Sequence, residues 1–173
     1  MRERKLVYIG HMATVHLICG SIGAGKTTYA TALSDRTRAV RFSIDEWMGN
    51  LFLADRPRQV DVTWALERTA RCEHQMWAVA DRVLSLQLDA VFDLGLSRRD
   101  QRDRFRFRAA QTGAEIKLHF LDVDRPTRQE RVRRRNQDGT GAFQVNDEMF
   151  DFMEGWFEPP ADDELYGAMI VCL

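Results

Sequence analysis

The stretch Gly20-Ser-Ile-Gly-Ala-Gly-Lys-Thr27 has the spacing G-x-x-x-x-G-K-T, which is typical of a loop that binds phosphate groups. It follows an apolar run that predicts a strand and precedes a stretch that predicts a helix, the context in which this pattern is informative. Gly20, Gly23 and Gly25 permit backbone angles at which successive N–H groups point at one anion. The sequence therefore predicts a nucleoside triphosphate site, with ATP as the expected ligand.

Residues of this loop have distinct expected contacts. Lys26 is expected to reach the β and γ phosphates, and the Thr27 hydroxyl to bind Mg²⁺. The partial positive charge at the start of the following helix adds to the attraction for an anion. The expected nucleotide-binding residues of the loop are Gly20, Ser21, Ile22, Gly23, Ala24, Gly25, Lys26, Thr27 and Thr28.

Outward from the loop, the chain alternates between apolar runs and helical patterns. Continuous apolar runs favour buried parallel strands, and they lie at Val15–Cys19, Ala39–Ser43, Ala90–Asp93, Ile116–Leu121 and Ala168–Leu173. Helical patterns occupy Lys26–Asp35, Val60–Leu88, Ser97–Thr112, Pro126–Asn136 and Asn146–Trp156. This alternation predicts an α/β domain of three layers, with a parallel sheet between two layers of helices.

The composition is that of an ordinary globular protein, with 45% hydrophobic and 29% charged residues. A net charge of −1 argues against a protein that coats nucleic acid. The three cysteines match no zinc or redox spacing, which suits a reducing cytoplasm, and no apolar run reaches the roughly 20 residues of a membrane span. We expect residues 1–11 to be an extension, natural or left from expression, and residues 12–173 to be one domain.

Two carboxylates follow predicted strands at the edge of the sheet where the phosphate loop lies. Asp45 comes just after the second strand, where it could accept a proton from an attacking hydroxyl, help to hold the metal, or cap the next helix. Asp93 ends the third strand, and a buried aspartate there needs a metal, a water or a helix cap. We expect Thr27, Asp45 and Asp93 to form the Mg²⁺ site and Asp45 to be the catalytic base, with Glu46 pointing elsewhere.

Two arginine-rich helical segments offer further cations. After the fourth strand, Arg128, Arg131 and Arg135 fall on one helix face, and guanidinium groups suit the charge that develops in phosphoryl transfer. We favour phosphate contact for at least one of Arg131 and Arg135 over a solvated basic face. With the segment Gln137–Ala142, this helix predicts a lid around residues 125–145.

The other segment contains the arginines of positions 98–108, with Ser97 as the expected N-cap of its helix. Interspersed aspartates favour ion pairing at the surface, with the phenylalanines reaching the core. Binding of an acceptor by these arginines is the alternative.

The chain resembles the bacterial kinases grouped as AAA-domain ATP-binding proteins. The resemblance covers residues 13–160 and is carried by the segments GSIGAGKT, SIDEW, FDLGLSRRDQRDRFR, LDVDRPTRQERVRRRN and FQVNDEMFDFMEGWFEPP. These are small P-loop kinases similar to chloramphenicol phosphotransferase, zeta toxins and the kinase half of polynucleotide kinase. The resemblance implies a five-stranded sheet in the order 2-3-1-4-5, ATP with Mg²⁺, a base at Asp45, and lid arginines at Arg131 and Arg135.

The sequence thus favours a phosphotransferase that moves the γ-phosphate of Mg-ATP to a hydroxyl of a small molecule. Lys26, Arg131 and Arg135 are expected to stabilise the transferred group and Asp45 to deprotonate the acceptor. One alternative is a non-kinase NTPase or nucleotide-gated binding module. Another is a polynucleotide 5′-hydroxyl kinase that uses the arginines at positions 98–108, which the net charge of −1 disfavours.

Overall fold

The computed structural model describes residues 12–55, 62–139 and 144–172. Five strands form one parallel sheet in the order β2-β3-β1-β4-β5, which confirms the predicted order. They are β1 (Thr14–Cys19), β2 (Val40–Ser43), β3 (Ala90–Asp93), β4 (Glu115–Asp122) and β5 (Met169–Cys172). Outside the described residues lie the expected extension at residues 1–11, Val60 and Asp61 of a predicted helix, residues 140–143 of the predicted lid, and Leu173.

The described helices include the five that the sequence predicts and two short ones. They are α1 (Lys26–Thr37), α2 (Ile44–Phe52), α3 (Val62–Ser85), α4 (Arg99–Ala110), α5 (Arg125–Asp138), α6 (Asp147–Trp156) and α7 (Asp162–Leu165). The sequence pattern did not separate α2 and α7 as helices, because α2 is short and contains Gly49, and α7 is a single turn. None of the described helices is long and apolar enough to cross a membrane.

The start of α4 differs from the predicted one. Ser97 is not its cap, because the helix begins at Arg99. The backbone N–H groups at the start of the helix, which have no intrahelical partners, donate to side chains instead. Arg99 N donates to the Glu158 carboxylate at 2.8 Å, and Arg98 N donates to Gln101 Oε1 at 3.2 Å. The cap therefore comes largely from a residue 59 positions away in the chain.

Alternate residues of β1 supply the two faces of the sheet with core side chains. Val15, Leu17 and Cys19 pack with residues of α3 and α4, whereas Ile18 packs with residues of α1. We call the second side the α1 face. Helices thus cover both faces, as the continuous apolar pattern of the strands predicts.

The edge strand β5 is less buried than predicted. Met169 and Ile170 are 45% and 53% exposed. β5 pairs only with β4 in the described part of the sheet, so its side chains have fewer neighbours than those of a central strand. The prediction of a buried strand is correct for β1 and β3 and wrong for β5.

A chain of hydrogen bonds crosses the α1 face. The Tyr29 hydroxyl lies 2.8 Å from His119 Nδ1, and His119 Nε2 lies 2.9 Å from His16 Nδ1. His16 Nε2 lies 3.6 Å from a carboxylate oxygen of Asp89. Burial lowers the pKa of His16, and burial together with the His16 ring lowers the pKa of His119 to about 4. Both rings are therefore neutral near pH 7.

Candidate phosphate-binding site

The loop between β1 and α1 has the backbone conformation that its glycines predict. Gly23 and Gly25 have φ angles of 76° and 91°, which L side chains rarely adopt. Gly25 is the N-cap of α1 and no side chain caps that helix. The first N–H groups of α1 therefore lack intrahelical partners and are available to an anion.

Lys26 lies against this loop. Its ammonium group donates to the carbonyl oxygens of Gly20 at 2.9 Å and Ser21 at 3.0 Å. Burial lowers the pKa of Lys26, while Asp93 and Asp45 are among the anionic groups that raise it. Because Lys26 forms no ion pair among the described residues, binding a phosphate would break no ion pair of the lysine.

Asp93 lies at the end of β3 and is 6% exposed. Burial raises its pKa, and a hydrogen bond from Thr27 together with the charges of Lys26 and Arg41 opposes that effect. Arg41 Nη1 lies 3.2 Å from the Asp93 carboxylate. The structure thus brings Thr27 and Asp93 together, as predicted, and adds an arginine that the sequence analysis did not consider.

Asp45 lies in the first turn of α2, next to this pair. It is close enough for its charge to raise the pKa of both Lys26 and Asp93. The cap of α2 is Ser43, whose hydroxyl accepts from Glu46 N at 3.4 Å. Asp45 is exposed, and no described residue forms a hydrogen bond or ion pair with its carboxylate. The alternative that Asp45 caps the helix does not hold.

Arg128 holds the start of α5 against the phosphate loop. Its buried guanidinium donates to Val123 O at 2.8 Å, to Ile22 O at 3.3 Å and to Glu154 Oε1 at 2.7 Å. The Ser21 hydroxyl donates to the same glutamate at 3.0 Å. Arg128 therefore connects α5 to the loop and to α6, and it is not part of a solvated basic face.

Gly23 shows how close α5 lies to the loop. A Cβ atom on Gly23 would lie 2.5 Å from the carbonyl oxygen of Arg128, so only glycine fits there. Ile22 also packs in an apolar cluster with Val132 of α5 and Phe150 of α6. The first half of the predicted lid is thus packed on the phosphate loop.

Two other arginines of α5 lack acidic partners. Arg131 Nη1 donates to Ala24 O at 3.2 Å and lies near Gly25. Arg135 is half-buried, and its Nε has no hydrogen-bond partner. Within the described ranges, neither side chain has a carboxylate within ion-pair distance. Among the described residues, the geometry therefore leaves both cations uncompensated, as it does the exposed Arg134, and Arg131 contacts the loop.

The arginines at positions 98–108 differ from this pair, because all six have carboxylate partners within 4 Å. The pairs are Arg98–Glu158, Arg99–Asp163, Arg102–Glu164, Arg104–Glu73, Arg106–Glu164 and Arg108–Asp81. The prediction of ion pairing is correct, although Arg102 is buried rather than at the surface. Phe105 reaches the core as expected, whereas Phe107 is 70% exposed.

The donor set fits a magnesium ion that binds together with a nucleotide. Among the described residues, no group of three or more His, Cys, Asp or Glu side chains forms a metal site. The Thr27 hydroxyl and the carboxylates of Asp45 and Asp93 are hard oxygen donors, which Mg²⁺ prefers. Mg²⁺ commonly takes one or two protein ligands and completes its shell with phosphate oxygens and waters.

Sequence reasoning missed two residues of this site, Arg41 and Glu154. A charged residue inside an otherwise apolar strand was the available signal for Arg41, since it requires a buried partner. Glu154 gave no local signal, because its contact with Ser21 joins positions 133 residues apart.

Comparisons with known proteins agree with this fold. Residues 15–160 match the model of a family described as AAA domain, and no curated protein matches significantly. Among solved structures, an inferred kinase from Chloroflexus aurantiacus has a TM-score of 0.73 at 15% identity, over 93% of this chain and 88% of that one. A sugar kinase from a Janibacter species has a TM-score of 0.63 at 16% identity, over 92% and 85%.

Kti12 from Chaetomium thermophilum, solved with ADP-AlF3, has a TM-score of 0.66 at 14% identity, over 92% of this chain and 88% of that one. At these identities the likeness of all three structures shows the fold alone. The fold is that of the P-loop kinases, with the phosphate loop at the carboxyl edge of the sheet.

Proposed function

The chain belongs to the AAA domain family, and from that membership and the geometry of the site we propose that it is an ATP-dependent kinase. The proposed reaction transfers the γ-phosphate of Mg-ATP to a hydroxyl group of a small molecule. Its main support is the placement of Lys26 and Arg131, whose hydrogen bonds within the described ranges go to carbonyl oxygens of the phosphate loop.

These two cations are suited to phosphate because their present partners are neutral. A phosphate oxygen carries negative charge and a carbonyl oxygen does not, so Coulomb attraction would favour the phosphate as partner. Lys26 would then neutralise charge on the β and γ phosphates, and Arg131 would stabilise the charge that spreads over the transferred group. Arg135, on the same helix face, is the second candidate for that role.

Mg²⁺, when bound through Thr27 and the carboxylates of Asp93 and Asp45, would supply further positive charge to the phosphate oxygens. Asp45 is also the proposed base. Its exposed carboxylate is free to accept a hydrogen bond from an acceptor hydroxyl, to orient it and to take its proton. Catalysis would rest mainly on positioning and electrostatic stabilisation.

The polynucleotide kinase alternative depended on the arginines of positions 98–108. Their ion pairs would have to break before they could bind a phosphate backbone. We therefore propose a small-molecule acceptor. The free cysteines at positions 19, 72 and 172 support a cytoplasmic location.

The proposal is tested by a screen of hydroxyl compounds with γ-labelled ATP and Mg²⁺. We expect label to move to at least one acceptor with the wild-type protein and not with Lys26→Ala, and Lys117→Ala is the matched control at a distant lysine. Slow release of phosphate that no acceptor stimulates would support an NTPase and contradict the kinase.

A further inference from the structure

Arg41 lies on β2, two residues before the strand ends. Its register partner in β3 is Val91, which packs against α1, so Arg41 projects on the α1 face beside the phosphate loop. The side chain is 17% exposed. Nη1 lies 3.2 Å from Asp93 Oδ2, and Nη2 is hydrogen-bonded to Glu46 Oε1.

One guanidinium therefore joins two elements of the site. Asp93 ends β3, and Glu46 lies in the first turn of α2 beside Asp45. Holding Glu46 fixes the turn that carries Asp45, and holding Asp93 fixes the carboxylate that also accepts a hydrogen bond from Thr27. The fork of an arginine suits this task, because it presents several N–H donors in a rigid plane.

Arg41 also balances charge at this edge. Without it, Lys26 would be left to offset the carboxylates of Asp93 and Asp45, and Glu46 would lose its partner. Clustered carboxylates attract divalent cations. A guanidinium stays charged at all ordinary pH values. In the nucleotide-free protein, Arg41 would therefore repel a divalent cation that approaches Asp93.

We propose that Arg41 is a positioning residue that acts as the internal counter-cation of the carboxylate cluster. It holds Asp93 and the first turn of α2 in place, and it keeps the cluster from binding a divalent cation until the phosphates of a nucleotide supply more negative charge. The inference rests on the proposed function only in assuming that a nucleotide binds at this site. Its test uses the nucleotide-free protein, so a failed acceptor screen would leave the test unaffected.

The test is a titration of nucleotide-free protein with Mn²⁺, with free Mn²⁺ measured by its electron paramagnetic resonance signal. We expect weak binding by the wild type and at least tenfold tighter binding by Arg41→Gln. Arg41→Lys keeps the charge and should stay close to the wild type. Arg71→Gln removes an exposed arginine of α3 whose partner is Glu67, and is the control.

A purely structural ion pair predicts a different result. Arg41→Gln would then melt at a lower temperature but bind Mn²⁺ no better than the wild type and the control, which would overturn the proposal. In the double variant Arg41→Gln with Asp93→Asn, we expect the gained affinity to be lost. Should Arg41→Gln not fold, the wild type still decides, because tight Mn²⁺ binding that Asp93→Asn abolishes would contradict a site already balanced by arginine.

Discussion

The helices α4 and α5 are both rich in arginine, yet they use it in different ways. On α4 and its N-cap, all six arginines have carboxylate partners. On α5, Arg131 and Arg135 lack such partners among the described residues, and Arg131 contacts the phosphate loop. An arginine without a carboxylate partner is therefore a better candidate for phosphate contact than one that is already in an ion pair.

The first prediction tests the structural side of the comparison and has the largest expected effect on stability. Arg102 and Glu164 form a fully buried ion pair, and Arg102→Met would leave the buried carboxylate with only Arg106, at 3.4 Å, as a cationic partner. We expect the free energy of unfolding to fall by about 3 kcal/mol, the lower end for a broken buried pair because Arg106 remains, measured by urea denaturation. Nucleotide affinity should not change.

Arg104→Met is the control for this experiment, because Arg104 is 57% exposed and pairs with Glu73 at the surface. Such a pair contributes about 0–1 kcal/mol. If both variants lost the same free energy of unfolding, burial would not explain how much each arginine of α4 contributes to stability.

The second prediction uses pH to distinguish two contributions to stability. One comes from the ion pairs of both helices, and the other comes from the hydrogen-bonded rings of His16 and His119 on the α1 face. His119 has a folded pKa of about 4, below its ordinary value of 6.5. The unfolded chain therefore binds protons first, and stability is lost as pH falls from 6.5 towards 4. The expected loss is roughly 2–3 kcal/mol, measured by urea denaturation across this range.

The ion pairs respond at lower pH. Burial alone would raise the pKa of Glu164, but its hydrogen bonds with Arg102 hold it below 4.5, and the Arg128 guanidinium likewise lowers the pKa of Glu154. Both carboxylates stay charged until the pH falls below 4.5. His119→Gln should therefore reduce the loss between pH 6.5 and 4.5, and the part that remains belongs to His16, whose pKa burial also lowers. If the free energy of unfolding of His119→Gln fell with pH as steeply as that of the wild type, the loss of stability would belong to other groups.

The third prediction tests the functional side. Arg131→Lys keeps the charge but loses the planar fork that can bind two phosphate oxygens at once. We expect turnover to fall about tenfold, with a smaller change in Mg-ATP affinity, in steady-state kinetics with the acceptor found by the screen. Arg133→Lys, on the same helix but exposed and paired with Asp147, is the control and should match the wild type. If the affinity for Mg-ATP fell and turnover did not, Arg131 would contribute to binding the nucleotide and not to stabilising the transition state.

The sequence was sufficient where the signal was local. The spacing from Gly20 to Thr27 predicts the loop, and apolar runs of four to six residues predict strands whose order follows from the family resemblance. Pro126 marks the start of α5, which begins one residue earlier at Arg125. The sequence was insufficient where a contact joins distant positions, because the partner of Arg41 lies 52 residues away and that of Arg102 lies 62 residues away. Each contact depends on sheet register or helix packing, which no local pattern encodes.

The most direct measurement is the rate of γ-phosphate transfer by Asp45→Asn with the acceptor found by the screen. The amide preserves the size of the side chain and does not disturb the cap of α2, which is Ser43. We predict a melting temperature and a Mg-ATP affinity close to those of the wild type, with transfer slower by about 10²–10⁴-fold, the usual contribution of a general base. Transfer at the wild-type rate would contradict the assignment of Asp45 as the base of a kinase.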